Sequence, residues 1–261
     1  MAKLTKFQTR CHNKALALLE KDQLTLSERE EVFGLFHEAA HTMNGESGAF
    51  FTPLVLANDL KIDMPGGRIV DICAGIGALT FASIHYRGYD DNTGEHVCIE
   101  LNPLYVEVGK KLVPEATWIC ADALDPATWA GLGQFDGAIS NPPFGQIKTS
   151  DHLPPEALGQ FEYAVLIQAS KIARAGAFIL PQQAAPFRYS GRPFYERKPS
   201  ARCQKFEQLT GILMEAGCGV DTSVHKDSWH HPVPTTEIVT CEFDAQEQLA
   251  RISGPLFSTA A

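Results

Sequence analysis

Apolar and polar positions along the chain follow two successive regimes. Through the first 47 residues they recur at helical spacing, with Ala15-Leu16-Ala17-Leu18-Leu19 and then Val32, Leu35 and Phe36. Ser27 and Glu30 have the spacing of a capping box and predict the start of a second helix. From Arg68 the pattern changes to short apolar runs separated by helical segments. It predicts strands over Arg68–Ala74, His96–Leu101, Thr117–Ala121, Phe135–Ser140 and Ala177–Leu180, with helices near Ala78–His85, Leu104–Leu112 and Glu156–Arg174. That alternation predicts an α/β protein with a mostly parallel sheet wound by right-handed crossovers and helices on both faces. A further helix around Ala201–Ala216 and a closing antiparallel pair, Val220–His225 with Thr236–Phe243, bring the expected sheet to seven strands. The connection from Pro181 to Pro199 is long for a compact domain, and such loops are often functional.

At 261 residues the chain is long enough for one large domain, here residues 48–261, preceded by a short helical extension over residues 1–47. No run reaches the ~18 to 20 apolar residues that cross a bilayer, and the start lacks a signal-peptide apolar core, so a cytoplasmic protein with no membrane role is expected. Seven cysteines without a C-x-x-C pair fit reduced thiols better than a disulfide framework.

A net charge of −9 excludes a chain that coats nucleic acid by bulk electrostatics. Distribution modifies that picture. Between Phe187 and Lys205 lie Arg188, Arg192, Arg197, Lys198, Arg202 and Lys205 against the single acid Glu196, a local net of +5. Phe187, Tyr189, Phe194, Tyr195 and Phe206 are interleaved with them, and alternating rings and cations suit base stacking with phosphate contact. The plain alternative is a solvated loop with a few packed rings.

Two turns carry the candidate chemistry. Asn141-Pro142-Pro143-Phe144 follows the run Phe135–Ser140 and cannot continue a sheet ladder, so it turns out of a strand's carboxyl end, where open α/β sheets bind ligands. An amide oxygen, a neighbouring main-chain carbonyl and a flat ring suit a planar group bearing an NH2. Asp71-Ile72-Cys73-Ala74-Gly75-Ile76-Gly77-Ala78-Leu79 is a glycine-bearing turn between the first strand and a helix, where a ligand approaches the backbone closely. Glu100 and Asp122 end the next two strands, a carboxylate order that describes a nucleoside pocket; each residue also suits a helix N-cap.

In this order the motifs resemble those of class I, Rossmann-like, S-adenosylmethionine-dependent amino methyltransferases. The turn with Asp71, Cys73, Ala74, Gly75 and Gly77 looks like the family's cofactor motif, Glu100 like its ribose acid, and Asp122 with Ala123 like the residues facing the cofactor adenine. Asn141-Pro142-Pro143-Phe144 looks like the catalytic signature, with Asn141 also beside the cofactor. Gly48-Ala49-Phe50-Phe51-Thr52-Pro53 resembles the F-x-T-P motif of DNA adenine methyltransferases, including type I modification subunits, where Phe51, Thr52 and Pro53 would contact the cofactor's methionine end. Its position before the glycine turn is the gamma-class order. The resemblance spans about residues 48–181 and implies adenine-N6 methylation of DNA with the target base flipped out, as in restriction-modification. Gamma-class enzymes that read their own site usually carry a recognition domain after the catalytic one, and little sequence follows Phe243. Low intrinsic specificity, or a protein partner that supplies it, is therefore expected, with Arg188, Arg192, Arg197, Lys198 and Arg202 as the nucleic-acid contacts.

Related signatures occur in enzymes that methylate ribosomal RNA amines or the glutamine amide of release factors, and the Phe50–Pro53 element is what favours DNA. Cytosine ring-carbon methylation would need a cysteine nucleophile after a proline, and no Pro-Cys dipeptide occurs. His37-Glu38-Ala39-Ala40-His41 matches H-E-x-x-H on a predicted helix, the pattern of zinc peptidases, but lacks an evident third ligand. Cys218, His225, His230 and His231 form a second loose cluster without recognised ligand spacing, so no metal is expected.

Overall fold

The computed structural model describes residues 4–40, 50–86, 94–146 and 150–243. Its central sheet has six strands: β1 (Ile69–Ile72), β2 (His96–Glu100), β3 (Thr117–Cys120), β4 (Phe135–Ser140), β5 (Ala173–Pro181) and β8 (Thr236–Glu242), in the order β3-β2-β1-β4-β5-β8. β1 to β5 are parallel, and β8 runs antiparallel to β5 from Pro181↔Thr236 to Ala175↔Glu242. The helices are α1 (Lys6–Leu19), α2 (Leu26–Leu35), α3 (Leu54–Leu60), α4 (Ala78–His85), α5 (Pro103–Leu112), α6 (Phe161–Ile172) and α7 (Ala201–Thr210). A small hairpin, β6 (Phe187–Arg188) with β7 (Glu196–Arg197), stands apart from the sheet.

Period-2 alternation assigns the strand residues to two cores. Val70, Ile72, Val97, Ile99, Ala138, Phe178 and Leu180 point to one face, where α6 and α7 cover them with Tyr163, Leu166, Cys203 and Phe206. Ile69, Ile139, Ala177 and Ile179 point to the other face, under Leu56 and Leu60 of α3 and Leu79 and Ala82 of α4. Because both faces are covered, β1 and β4 are apolar almost throughout, as buried parallel strands are. The N-terminal helices continue the second layer: Ala15 of α1 and Val32 and Phe33 of α2 pack with Phe81, Tyr105 and Leu112.

Several expectations are revised. Among the described residues the sheet has no seventh strand, because residues 217–225 do not extend: Gly217 and Gly219 take left-handed φ of 54° and 73°, and Asp221 caps a 3-10 helix over Thr222–Ser228 by accepting from Ser223 N. An isolated bridge, Glu215↔Thr240, adds to β8 on that side. The second helix opens two residues earlier than Ser27 predicts, with Thr25 and Glu28 forming the capping box. Leu158 and Gly159, at φ of 54° and 74°, separate a 3-10 turn at Pro155–Ala157 from α6, and Gly211 at φ 71° stops α7 at Thr210. β5 begins directly after α6, four residues before the expected start. H-E-x-x-H is not on one helix: α2 ends at Leu35, Glu38–Ala40 is a 3-10 turn, and His41 lies outside the described residues, as do Gly48 and Ala49.

Strand order fixes where a ligand belongs. From β1 the chain steps outward through β2 and β3, then returns to the other side of β1 with β4. The crevice beyond the carboxyl ends of β1 and β4 is the topological switch point of the sheet.

Candidate active site

Both candidate turns leave the sheet at this switch point. Asp71 lies opposite Ile139 in the ladder, so the glycine turn and the Asn141 turn start side by side. The buried Ser140 hydroxyl donates to Ile72 O and ties the last residues of the two strands together. Between the turns is a small solvent-open cavity lined by the Phe50–Thr52 segment, Asp71, Cys73–Ile76, Ala78, Leu79 and Asn141.

The glycine turn is tight. Cys73 has φ of 61°, a left-handed conformation that costs a non-glycine residue on the order of 1 kcal/mol, and Gly75 and Gly77 follow at 57° and 92°. A Cβ on Gly75 would meet the Phe51 ring at 3.3 Å. Gly75 therefore lets the 50–52 segment close over the turn. Phe51 is held from behind by Tyr105, with ring centroids 4.9 Å apart, and by Phe36 at 6.1 Å. Gly77 is the N-cap of α4, and a Cβ there would strike Trp118 and Val113.

The Asn141 amide has one fixed orientation. Its Nδ2 donates to Phe50 O at 3.1 Å and Thr52 Oγ1 at 2.9 Å, while its buried Oδ1 has no hydrogen-bond partner. Asp71, 1% exposed, repeats the arrangement: Oδ2 accepts from Thr80 Oγ1 at 2.7 Å and the buried Oδ1 has no partner. Two residues of one cavity's lining thus each keep a buried acceptor without a side-chain or main-chain partner. Leaving a buried acceptor unmet costs roughly 1–3 kcal/mol.

Burial pushes the Asp71 carboxyl up to about 7, against the opposing hydrogen bond from Thr80. Glu100, at the end of β2, is likewise raised by burial to about 7, although its Oε2 accepts from Gly75 N at 2.9 Å and its Oε1 from Asn102 N at 2.8 Å. Burial likewise drives the Cys73 thiol far above its ordinary range, which disfavours the thiolate. Glu100 and Asp122 are not part of the cavity's lining; Asp122 Oδ1 accepts from Leu124 N at 2.9 Å, and Ala123 is buried beside it.

Pro142 is buried, Pro143 and Phe144 are half-buried, and Phe144 stacks on Phe50 at 6.2 Å and 26°. The turn is anchored by a residue that sequence reasoning missed. Glu162, 2% exposed in the first turn of α6, accepts from Gly145 N at 2.8 Å while Phe161 N donates to Gly145 O at 2.9 Å. A lone acid inside the apolar run of α6 was its only signal.

The basic segment divides on inspection. Arg188 is spent on structure: its guanidinium donates to the carbonyls of Gln182, Ala185 and Phe187. Arg192, Arg197, Lys198 and Arg202 are exposed, and the tip between β6 and β7 presents Phe194 at 67% and Tyr195 at 47% exposure. Arg197 lies 3.7 Å from Glu207, and Lys198 3.4 Å from Glu196. The hairpin follows β5 through Gln182, which places it on the rim where the parallel strands end. Glu237 of β8, fully buried, secures it by accepting from Gln182 Nε2, Tyr189 N, Ser190 N and Ser190 Oγ at 2.6–3.1 Å.

The two histidine clusters are also rearranged. His225 pairs with Asp59 of α3 at 2.6 Å, and Cys218 N donates to Asp63, whereas His230 and His231 turn toward His37 and Glu38. Burial holds the His37 imidazole down at about 4.

No family model and no curated protein matches the sequence. Solved structures do match in three dimensions: the type I restriction-modification methyltransferase subunit from Streptococcus thermophilus (TM-score 0.52, 15% identity, 85% of this chain and 51% of that one); a modification subunit ascribed to a type I restriction enzyme of Vibrio vulnificus (0.53, 12%, 84% and 50%); and a protein ascribed to the class I S-adenosylmethionine-dependent methyltransferases from Listeria monocytogenes (0.56, 12%, 86% and 69%). The chain spans about half the length of the two modification subunits it matches. At these identities the likeness is one of fold: the chain has the class I, Rossmann-like methyltransferase fold, with six strands described.

Proposed function

We propose that the chain transfers a methyl group from S-adenosylmethionine to the exocyclic amino group of adenine in DNA. The observation that carries this reading is the Asn141 amide in the lining of the glycine-turn cavity, with its nitrogen held by Phe50 and Thr52 and its oxygen left without a partner. The cavity suits the cofactor's methionine end, since the orphaned Asp71 Oδ1 suits an ammonium and Cys73, Ala74 and Gly75 bring backbone to its wall; beyond the lining, Gly77 continues the turn and Glu100 retains lone pairs for ribose hydroxyls besides those taken by Gly75 and Asn102. Asp122 and Ala123 belong to its adenine end, and Phe51, Thr52 and Pro53 to its methionine end. When bound, S-adenosylmethionine supplies an electrophilic methyl group.

The chain's own residues prepare the acceptor. An adenine amino nitrogen is a poor nucleophile because its lone pair is delocalised into the ring. Asn141 Oδ1 and the Pro142 carbonyl accept from its two N–H groups, which favours a pyramidal nitrogen and localises the lone pair. Positioning of this kind supplies much of the rate. No strong base is required beforehand, because the nitrogen becomes acidic once it has taken the methyl group from sulfur, and it then releases a proton as the thioether leaves. Phe144, already backed by Phe50, offers its ring to a base extruded from the duplex, whose flipping costs a few kcal/mol. Arg192, Arg197, Lys198 and Arg202 meet the phosphates, with Phe194 and Tyr195 beside them. Sequence specificity is low or supplied by a protein partner.

The test is transfer of radiolabel from S-adenosylmethionine to DNA, RNA and protein acceptors, followed by nucleoside and amino-acid analysis. Label in N6-methyladenine of DNA is expected, lost in Asn141→Ala. Label confined to RNA or to protein glutamine overturns the DNA reading.

A further inference from the structure

Among the described residues, one group outside the cavity has the composition of a metal site. Donor atoms of His37, Glu38 and His230 all lie within 4.8 Å of one another. Glu38 Oε2 is 2.7 Å from His230 Nδ1 and 3.7 Å from His37 Nδ1, and Glu38 Oε1 is 3.9 Å from His231 Nε2. The two His37–Glu38 side chains are 4% and 2% exposed, and the His37 ring stacks on His230 at 4.7 Å while meeting His231 edge-on at 4.7 Å. Zinc bonds of about 2.0–2.2 Å in tetrahedral geometry put neighbouring donors roughly 3.3 Å apart; Glu38 Oε2 stands 2.7 Å from His230 and 3.7 Å from His37, on either side of that spacing.

We propose that His37, Glu38 and His230 bind one first-row divalent transition ion, Zn²⁺ by preference, with His231 next to them. Two imidazoles and one carboxylate are a donor set that suits such an ion and disfavours Ca²⁺ or Mg²⁺, which take mainly oxygen. The three donors come from two segments nearly 200 residues apart. The ion therefore works as a clasp between the turn after α2 and the segment that follows the 3-10 helix at Thr222–Ser228. His37 is further supported from outside, since its main-chain N–H donates to His12 Nδ1 of α1 at 3.1 Å. The arrangement differs from a zinc peptidase in that the ligands are not one helical turn apart on a single helix. The proposal is independent of the methyl-transfer reading.

The test uses the full chain, stripped with chelator and then titrated with Zn²⁺, Co²⁺ and Mg²⁺. One Zn²⁺ per chain by elemental analysis is expected, with a tetrahedral Co²⁺ absorption spectrum, no response to Mg²⁺, and a melting temperature that rises with Zn²⁺ concentration. Glu38→Gln and His230→Ala are expected to weaken Zn²⁺ binding by more than the roughly 10- to 100-fold that loss of an outer-shell partner costs. His225→Ala, which removes a histidine paired to Asp59, leaves the stoichiometry at one. Absence of Zn²⁺ binding by the wild-type chain, an octahedral Co²⁺ spectrum, or equal binding by Glu38→Gln overturns the proposal. The wild-type readouts need no variant to fold.

Discussion

Two buried carboxylates, Asp71 and Glu237, treat their hydrogen bonds in opposite ways. Glu237 is saturated: main-chain and side-chain donors from Gln182, Tyr189 and Ser190 surround it, and Ser190 Oγ in turn accepts from Thr222 N. Asp71 spends one oxygen on Thr80 and leaves the other without a partner, as Asn141 does across the cavity. Equal burial thus serves two ends. A satisfied polar group fixes the rim hairpin against the sheet, whereas an unsatisfied one stores a deficit that a ligand can meet.

The sharpest break in that contrast is Glu237→Ala. It leaves several buried donors unpaired and is expected to cost roughly 3–5 kcal/mol in chemical denaturation, with loss of the folded hairpin. Asn141→Ala belongs to the other class: stability within about 1 kcal/mol of wild type, but kcat/KM for methyl transfer down by on the order of 10²- to 10³-fold. A large stability loss in Asn141→Ala would mean that its amide is structural after all.

Asp71 gives a pH signature of the deficit. Its folded pKa, about 7, exceeds the ordinary 3.8, so between these values the folded chain keeps a proton that the unfolded chain has released. Stability from this group is present below about pH 4 and falls as pH rises toward 7, by up to ~1.4 kcal/mol per pH unit. Glu100 acts in the same direction and His37, with its lowered value, in the opposite one. The difference between wild type and Asp71→Asn isolates the residue: denaturation across pH 4–7 is expected to show a flatter loss in the variant, and an unchanged slope refutes the assignment.

The smallest effect separates the arginines of the rim. Arg192→Ala is expected to lower the slope of log affinity against log salt for DNA by about one, with little change in stability. Arg188→Ala, which frees three carbonyls, is expected to destabilise the hairpin instead. A salt slope that drops equally in both would place Arg188 on DNA.

The parts of the fold that local pattern dictates were readable from sequence. Apolar runs located β1 to β5, and the Asn141 and glycine turns stood out because proline and glycine leave so few backbone choices. The run Val220–His225 misled, since its strand-like alternation is overruled by two left-handed glycines and the Asp221 cap. Thr25 took the capping role expected of Ser27 because both spacings satisfy the same motif. Glu162, Glu237 and the meeting of His37 with His230 were invisible for a different reason. Their meaning lies in partners 17 to 192 residues away, which no local pattern encodes.

The two bonds that orient Asn141 reach back 91 and 89 residues, to Phe50 and Thr52. The glycine turn and its strands assemble through short βαβ contacts, but the amide acquires its orientation only when a distant part of the chain has docked, after a large loop has closed. On the proposed reading, competence for catalysis is expected late in folding. In a refolding experiment, recovery of secondary structure would run ahead of recovery of activity, and the lag would time the arrival of the Phe50–Thr52 segment.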